Sequence, residues 1–234
     1  MGERVEWTEF GSDDEVLDSR PFRQDEVRCN LMQLHRYIPE ALRLKAADGS
    51  AALTWMPDRN GWMWFDSALE PEERRERIDA LSDELDRRQI RLRGISGDPE
   101  DVRVFAAAYA ERGGSEWGEH MELVAYACEN VRAPSGVPGR ARPTGSEDAP
   151  RIAEFLSGFV RDAFGEERAA EHFAESAAEM AVSGNVYFWE VDGVPSAMAQ
   201  LASASKRHRR MNEVYTPSEC RKRGYASAFL PYQH

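Results

Sequence analysis

The chain has 234 residues, 31% charged and 41% hydrophobic, with 6 Trp, 7 Tyr and 10 Phe; the aromatic content excludes a disordered chain and the length fits one or two domains. Its longest apolar run, Val104 to Ala110, is too short to span a bilayer, and the N-terminal stretch reads as neither a secretion signal nor a lipid anchor, so a cytoplasmic protein without membrane contact is expected. The 30 Lys and Arg against 42 Asp and Glu give a formal charge of −12, which argues against general nucleic-acid binding, and the separated Cys29, Cys128 and Cys220 argue against a disulfide framework or a zinc site.

The charge is uneven. Residues 1–133 hold 18 cations against 29 carboxylates, whereas 134–234 hold 12 against 13. Within the second part, Ser205 to Arg223 carries Lys206, Arg207, Arg209, Arg210, Arg221, Lys222 and Arg223 against only Glu213 and Glu219. That stretch is a basic island in an acidic chain, readable either as a solvated hairpin or as an anion site.

In chain order, Val27, Leu31, Leu34, Ile38 and Leu42 recur at helical spacing. Strand-like stretches follow at Ala51 to Met56 and Trp62 to Phe65. Ile78, Leu81 and Leu85 form a helical stripe after Pro71, and Arg91 to Ile95 reads as a strand. Asp98 as N-cap with Pro99 in the first turn opens a helix whose apolar face is Val102, Phe105, Ala106 and Tyr109. Gly94-Ile95-Ser96-Gly97 lacks the Lys-Ser/Thr of a phosphate loop and reads as a strand-to-helix turn. Met121 to Cys128 reads as a further strand, after which Ala133-Pro134-Ser135-Gly136-Val137-Pro138-Gly139 is rich in turn formers. The organisation expected is a mixed α/β unit over 1–133, a linker over 134–139 and a second unit over 140–234.

The second unit begins with a short strand, Arg140 to Pro143, and an amphipathic helix carrying Ile152, Phe155, Leu156, Phe159, Val160 and Ala163. A second helix is expected over Glu166 to Val182. Two strands, Val186 to Val191 and Val194 to Ser203, flank Asp192-Gly193, the dipeptide that best signals a tight hairpin. Arg209 to Thr216 makes another strand, ended by Pro217, and Arg221-Lys222-Arg223-Gly224-Tyr225-Ala226-Ser227 turns into a helix. A strand, a loop with small residues at the points of close approach and a helix start together expose unpaired backbone N–H groups, which attract phosphates.

The stretch Val214 to Ser227 resembles the acetyl-CoA signature of the Gcn5-related N-acetyltransferase superfamily, Arg/Gln-x-x-Gly-x-Gly/Ala, here Arg221, Gly224 and Ala226. The element order of 137–234 is similar to that superfamily from its first strand to its third helix. Leu92 to Gly97, the helix through Tyr109 and the strand Met121 to Cys128 resemble the N-terminal half of a bacterial subgroup with a degenerate domain ahead of the transferase. The resemblance implies a central, mostly antiparallel sheet flanked by helices. It also implies acetyl-CoA as cosubstrate, no metal, and direct transfer of the acetyl group to an amine acceptor. Backbone groups of Val214 and Thr216 would pair with the pantetheine arm, and Arg221, Lys222, Arg223, Gly224, Tyr225, Ala226 and Ser227 would hold the pyrophosphate. Glu213 is the candidate general base, with a surface pairing to Arg209 or Arg210 as the other reading of it, and Glu190 is the second choice. The superfamily continues past the signature helix with a strand, a further helix and closing strands, whereas this sequence stops at Leu230-Pro231-Tyr232-Gln233-His234, so an incomplete fold with an open sheet edge is expected. Tyr232 does not match the position of the family's general acid. The alternative function is therefore an impaired or inactive acyl-CoA-binding protein, and the open edge points to a homodimer.

Overall fold

The structure, a computed structural model, describes residues 5–57, 59–132, 134–203 and 205–232. The chain divides into two compact units, Met1–Ala127 and Cys128–His234, so the turn-rich stretch 134–139 lies inside the second. Among the described residues no helix is long and apolar enough to cross a membrane.

In the first unit, β1 (Trp7–Glu9), β2 (Leu42–Ala46), β3 (Ala51–Trp55) and β4 (Gly61–Phe65) form an antiparallel sheet in chain order, and β5 (Ile95–Ser96) joins β4 in parallel. Ala51, Leu53, Met63 and Phe65 face α3 (Pro71–Arg87) and α4 (Pro99–Gly113), meeting Ile78, Leu81, Leu85 and Phe105 in one core. Ala52 and Trp64 face the opposite way, onto Phe22 of α1 (Arg20–Asp25) and Met32 of α2 (Asn30–His35). Both faces are covered, which is why β3 and β4 read as continuous apolar runs rather than alternating ones. Asp98 caps α4 by accepting from the Glu100 N–H at 3.1 Å. β5 followed directly by α4 makes Gly94 to Gly97 a strand-to-helix turn.

Three expectations for this unit are corrected. The helical spacing from Val27 to Leu42 does not make one helix: α2 ends at His35, Pro39 blocks continuation, and Leu42 opens β2. The strand expected at Arg91 to Ile95 shrinks to the two-residue β5. Met121 to Cys128 is not a strand; it is irregular, with Leu123 68% and Tyr126 89% exposed. A strand exists only where a neighbouring edge takes its N–H and C=O groups, and among the described residues none does so here.

In the second unit, β6 (Arg140–Pro143), β7 (Val186–Val191), β8 (Val194–Ser203) and β9 (Arg209–Tyr215) form an antiparallel sheet in that order. Asp192 and Gly193 both have positive φ, 51° and 78°, as a two-residue primed turn requires. One face packs Val186, Phe188, Met198 and Tyr215 against Ile152, Phe155 and Leu156 of α5 (Ala149–Phe164) and Ala177 and Ala181 of α6 (Ala174–Val182). The other face buries Trp189, Ala197 and Ala199 under Tyr225, Ala228 and Phe229. The helix expected from Glu166 begins later: Gly165, left-handed at φ 70°, caps α5, and a 3₁₀ turn, Ala170–Phe173, precedes α6. The signature segment is corrected too, since it runs into a six-residue 3₁₀ helix, Ser227–Tyr232, rather than an α-helix.

Candidate functional site

The residues singled out in the sequence cluster along β9 and the loop after it. β9 pairs only with β8 among the described residues, and its ladder is interrupted: Asn212 faces Gln200 and Tyr215 faces Met198, so Glu213 and Val214 together oppose Ala199. This is a β-bulge, which bends the strand and releases backbone groups from the ladder. Glu213 takes the strained position at φ 49°. Its side chain is half-buried, and Oε2 is shielded from solvent with no hydrogen-bond partner. Burial pushes its carboxyl above the ordinary carboxylate range, opposed by the nearby Arg210 charge. Arg210 is itself half-buried, and burial lowers its pKa against the pull of Glu213. Glu213 is therefore not a solvated surface carboxylate.

In the bulge Val214 is exposed, and beyond it the Thr216 carbonyl accepts from Arg221 Nε at 2.9 Å. The Arg221 guanidinium also pairs with Asp162 of α5, so this cation ties the loop back to the strand and the helix. Lys222 and Gly224 are both left-handed, at φ 62° and 83°. A Cβ on Gly224 would lie 3.1 Å from Val137 Cγ2 in addition to the conformational strain. Arg223 is exposed and hydrogen-bonds Tyr225, whose ring is buried. The Ala228 N–H donates to the Gly224 carbonyl at 3.0 Å and the Tyr225 carbonyl at 3.1 Å, closing the loop at its far end. Ala226 is half-buried and Ser227 exposed, so Tyr225, Ala228 and Phe229 anchor the loop while Lys222, Arg223 and Ser227 meet solvent.

Glu190 is placed differently. Its carboxylate accepts from Arg142 Nε at 2.7 Å and lies 3.7 Å from Arg140 Nη2, while Arg142 also binds Asp148 at 2.8 Å. The guanidinium holds Asp148 below the usual carboxylate range. Glu190 is thus tied into an ion-pair network with Arg140 and Arg142. Sequence reasoning missed Asp162, whose partner lies 59 residues away, and Gly158, where a Cβ would come within 2.5 Å of Tyr215 Cζ. No local signal marks either one.

Among the described residues no group of His, Cys, Asp and Glu could hold a metal ion. Chemically, the arrangement offers a shielded carboxylate with a weakened hold on its charge, a strand edge beside it that is unpaired among the described residues, and a basic turn one loop further on. Compared with protein-family models, curated proteins and solved structures, the chain matches none.

Proposed function

We propose that the second unit is an acetyl-CoA-dependent N-acetyltransferase similar to the Gcn5-related superfamily, acting on an amine. The observation that carries this reading is the bulge in β9, which combines an unpartnered, burial-perturbed carboxylate with backbone freed from the ladder. The left-handed turn at Lys222 and Gly224 supports a phosphate-holding role for the following loop, because such turns aim successive N–H groups to one side. In this reading the pantetheine arm lies along the open edge of β9 at Val214 and Thr216, with its pyrophosphate at Arg221 to Ser227. Glu213 takes the proton from the acceptor ammonium. The freed amine attacks the thioester carbonyl, the N–C bond forms as the C–S bond breaks, and the thiolate leaves to take a proton from solvent.

A second reading, an acyl-CoA-binding protein without turnover, is favoured by two features. The loop leads into a short 3₁₀ helix, which lacks the dipole of a long α-helix, and Arg221 is already engaged by Asp162 and Thr216. Titration calorimetry with coenzyme A tests what the readings share. The parent protein should bind and Gly224→Glu should not, because a side chain there obstructs the backbone donors; equal binding by both moves the site elsewhere. Acetyl-CoA turnover with a panel of amines then separates enzyme from binder.

A further inference from the structure

The stretch 121–128 has a strand's composition, yet it is irregular and unpaired among the described residues, with Leu123 68%, Val124 66% and Tyr126 89% exposed. As a strand it would turn Leu123 and Ala125 to one side and Val124 and Tyr126 to the other, apolar both ways like β3 and β4. Such a strand suits a sheet covered on both faces, and an exposed apolar run of this kind marks an interaction site. The sheet of the second unit is covered on both faces, and its last strand, β9, pairs only with β8 among the described residues. Charge decides which strand that edge admits. Residues 205–212 carry Lys206, Arg207, Arg209 and Arg210 and no carboxylate, and Lys206, Arg207 and Arg209 are exposed. Cations on an edge repel a second edge like it, which is how sheets guard against indiscriminate pairing, but they attract an acidic strand. Residues 115–123 carry Glu116, Glu119 and Glu122 and no Lys or Arg; Glu119 pairs with Arg103 of α4, and Glu116 and Glu122 are exposed. Parallel alignment brings these carboxylates beside the hairpin cations, whereas antiparallel alignment would carry them toward Glu213 and Glu219.

We propose that residues 122–125 of one copy of this chain add as a parallel strand to residues 209–212 of a second copy, and that the exchange is reciprocal. The occupant is a second copy because one chain carries both the acidic strand and the basic edge, and both stay unpaired among its described residues. A two-fold dimer satisfies each of them once and closes without leaving a free end. Leu123 and Val124 leave water in both contacts. The added strand stops short of the bulge at Glu213 and Val214, so Val214 and Thr216 stay clear for the pantetheine of the acetyltransferase reading, on which the dimer does not depend.

Analytical ultracentrifugation of the full-length protein over a wide concentration range tests this, with hydrogen exchange read at both ends of the range on peptides covering 115–132 and 205–215. A dimer is expected at high concentration, and exchange in both peptides should slow together as it forms. Alternate N–H groups of a strand face the same neighbour, so one of Leu123→Pro and Val124→Pro must remove a ladder bond from each of the two contacts. At least one of them should raise the dimer Kd roughly tenfold or more. The segment is exposed and irregular in the chain, so neither should change the melting of the monomer. Glu122→Lys and Arg209→Glu should each weaken the dimer, and the double variant, which restores opposite charges, should recover part of the loss. A monomer at every concentration with both peptides unprotected overturns the inference. A monomer with both peptides protected also overturns it, because the segment then lies on the β9 of its own chain. A dimer that all these variants leave unchanged forms through another surface and overturns it as well.

Discussion

In the proposed reaction Glu213 takes the proton from the acceptor, and its burial gives it a pH signature. A carboxyl whose pKa is raised by folding favours the folded state while protonated, and that advantage is lost as pH rises through the raised value. The shift is net of the attraction from Arg210, so at neutral pH the ionised group costs stability. Glu213→Gln is therefore expected to be at least as stable as the parent at pH 7, with the difference vanishing in acid below the ordinary Glu range; denaturant melts at both pH values check this. Activity should move the other way. Loss of a general base lowers rates by about 10² to 10⁴, and the parent's acid limb should lie above the ordinary carboxylate range. A variant that loses less than tenfold at every pH removes Glu213 from the mechanism. The sequence offered Glu213 as a candidate only through the family resemblance, by its nearness to the signature loop. Its strained backbone and shielded oxygen were not legible there, because both follow from the register against β8.

The face of β9 that meets α5 is shaped by one missing side chain. The Tyr215 ring lies edge-on to Phe155 at 5.6 Å and passes over Gly158, where a Cβ would sit 2.5 Å from Cζ and 3.0 Å from Cε1. Alanine would improve helix propensity by about 1 kcal/mol, but overpacking a filled core costs about 1 to 3 kcal/mol. The ring is buried and cannot swing clear. Gly158→Ala should therefore destabilise the second unit and disturb the end of β9, and adding Tyr215→Phe, which removes the closest atom, should return part of the loss in thermal melts. A neutral Gly158→Ala would show that the ring moves freely. Gly158 was invisible in the sequence, where it lies between the stripe positions of α5 without any sign of a partner at Tyr215. Elements whose signals are local were legible: the Asp192-Gly193 hairpin, the Asp98 cap of α4 and the stripe of α5. Elements that exist through a partner were not. β1 has three residues and forms against β2, β2 was absorbed into a helical pattern, and Met121 to Cys128 has a strand's composition but no edge to join.

Each of the two units builds its own sheet covered on both faces, and the candidate site residues all belong to the second. The charge division follows the same line, with most of the acidity in the first unit and the basic island in the second. A ligand that binds only the folded state stabilises it by about 2.7 kcal/mol at a hundredfold excess over Kd, and that stabilisation is felt as slower amide exchange wherever opening would break the site. Coenzyme A at such an excess is therefore expected to slow hydrogen exchange in peptides covering Asn212 to Phe229. It should also slow exchange in α5 near Asp162, because the Arg221 loop is tied to that carboxylate. Peptides from β1 to β5 should exchange at unchanged rates. Asp162→Asn provides the internal check: it releases Arg221, so the loop should exchange faster without ligand, while added coenzyme A still slows it because the Gly224 turn remains. Protection centred on the first unit instead, with 212–229 unaffected, would place the cofactor on the wrong half of the chain for Glu213 to act.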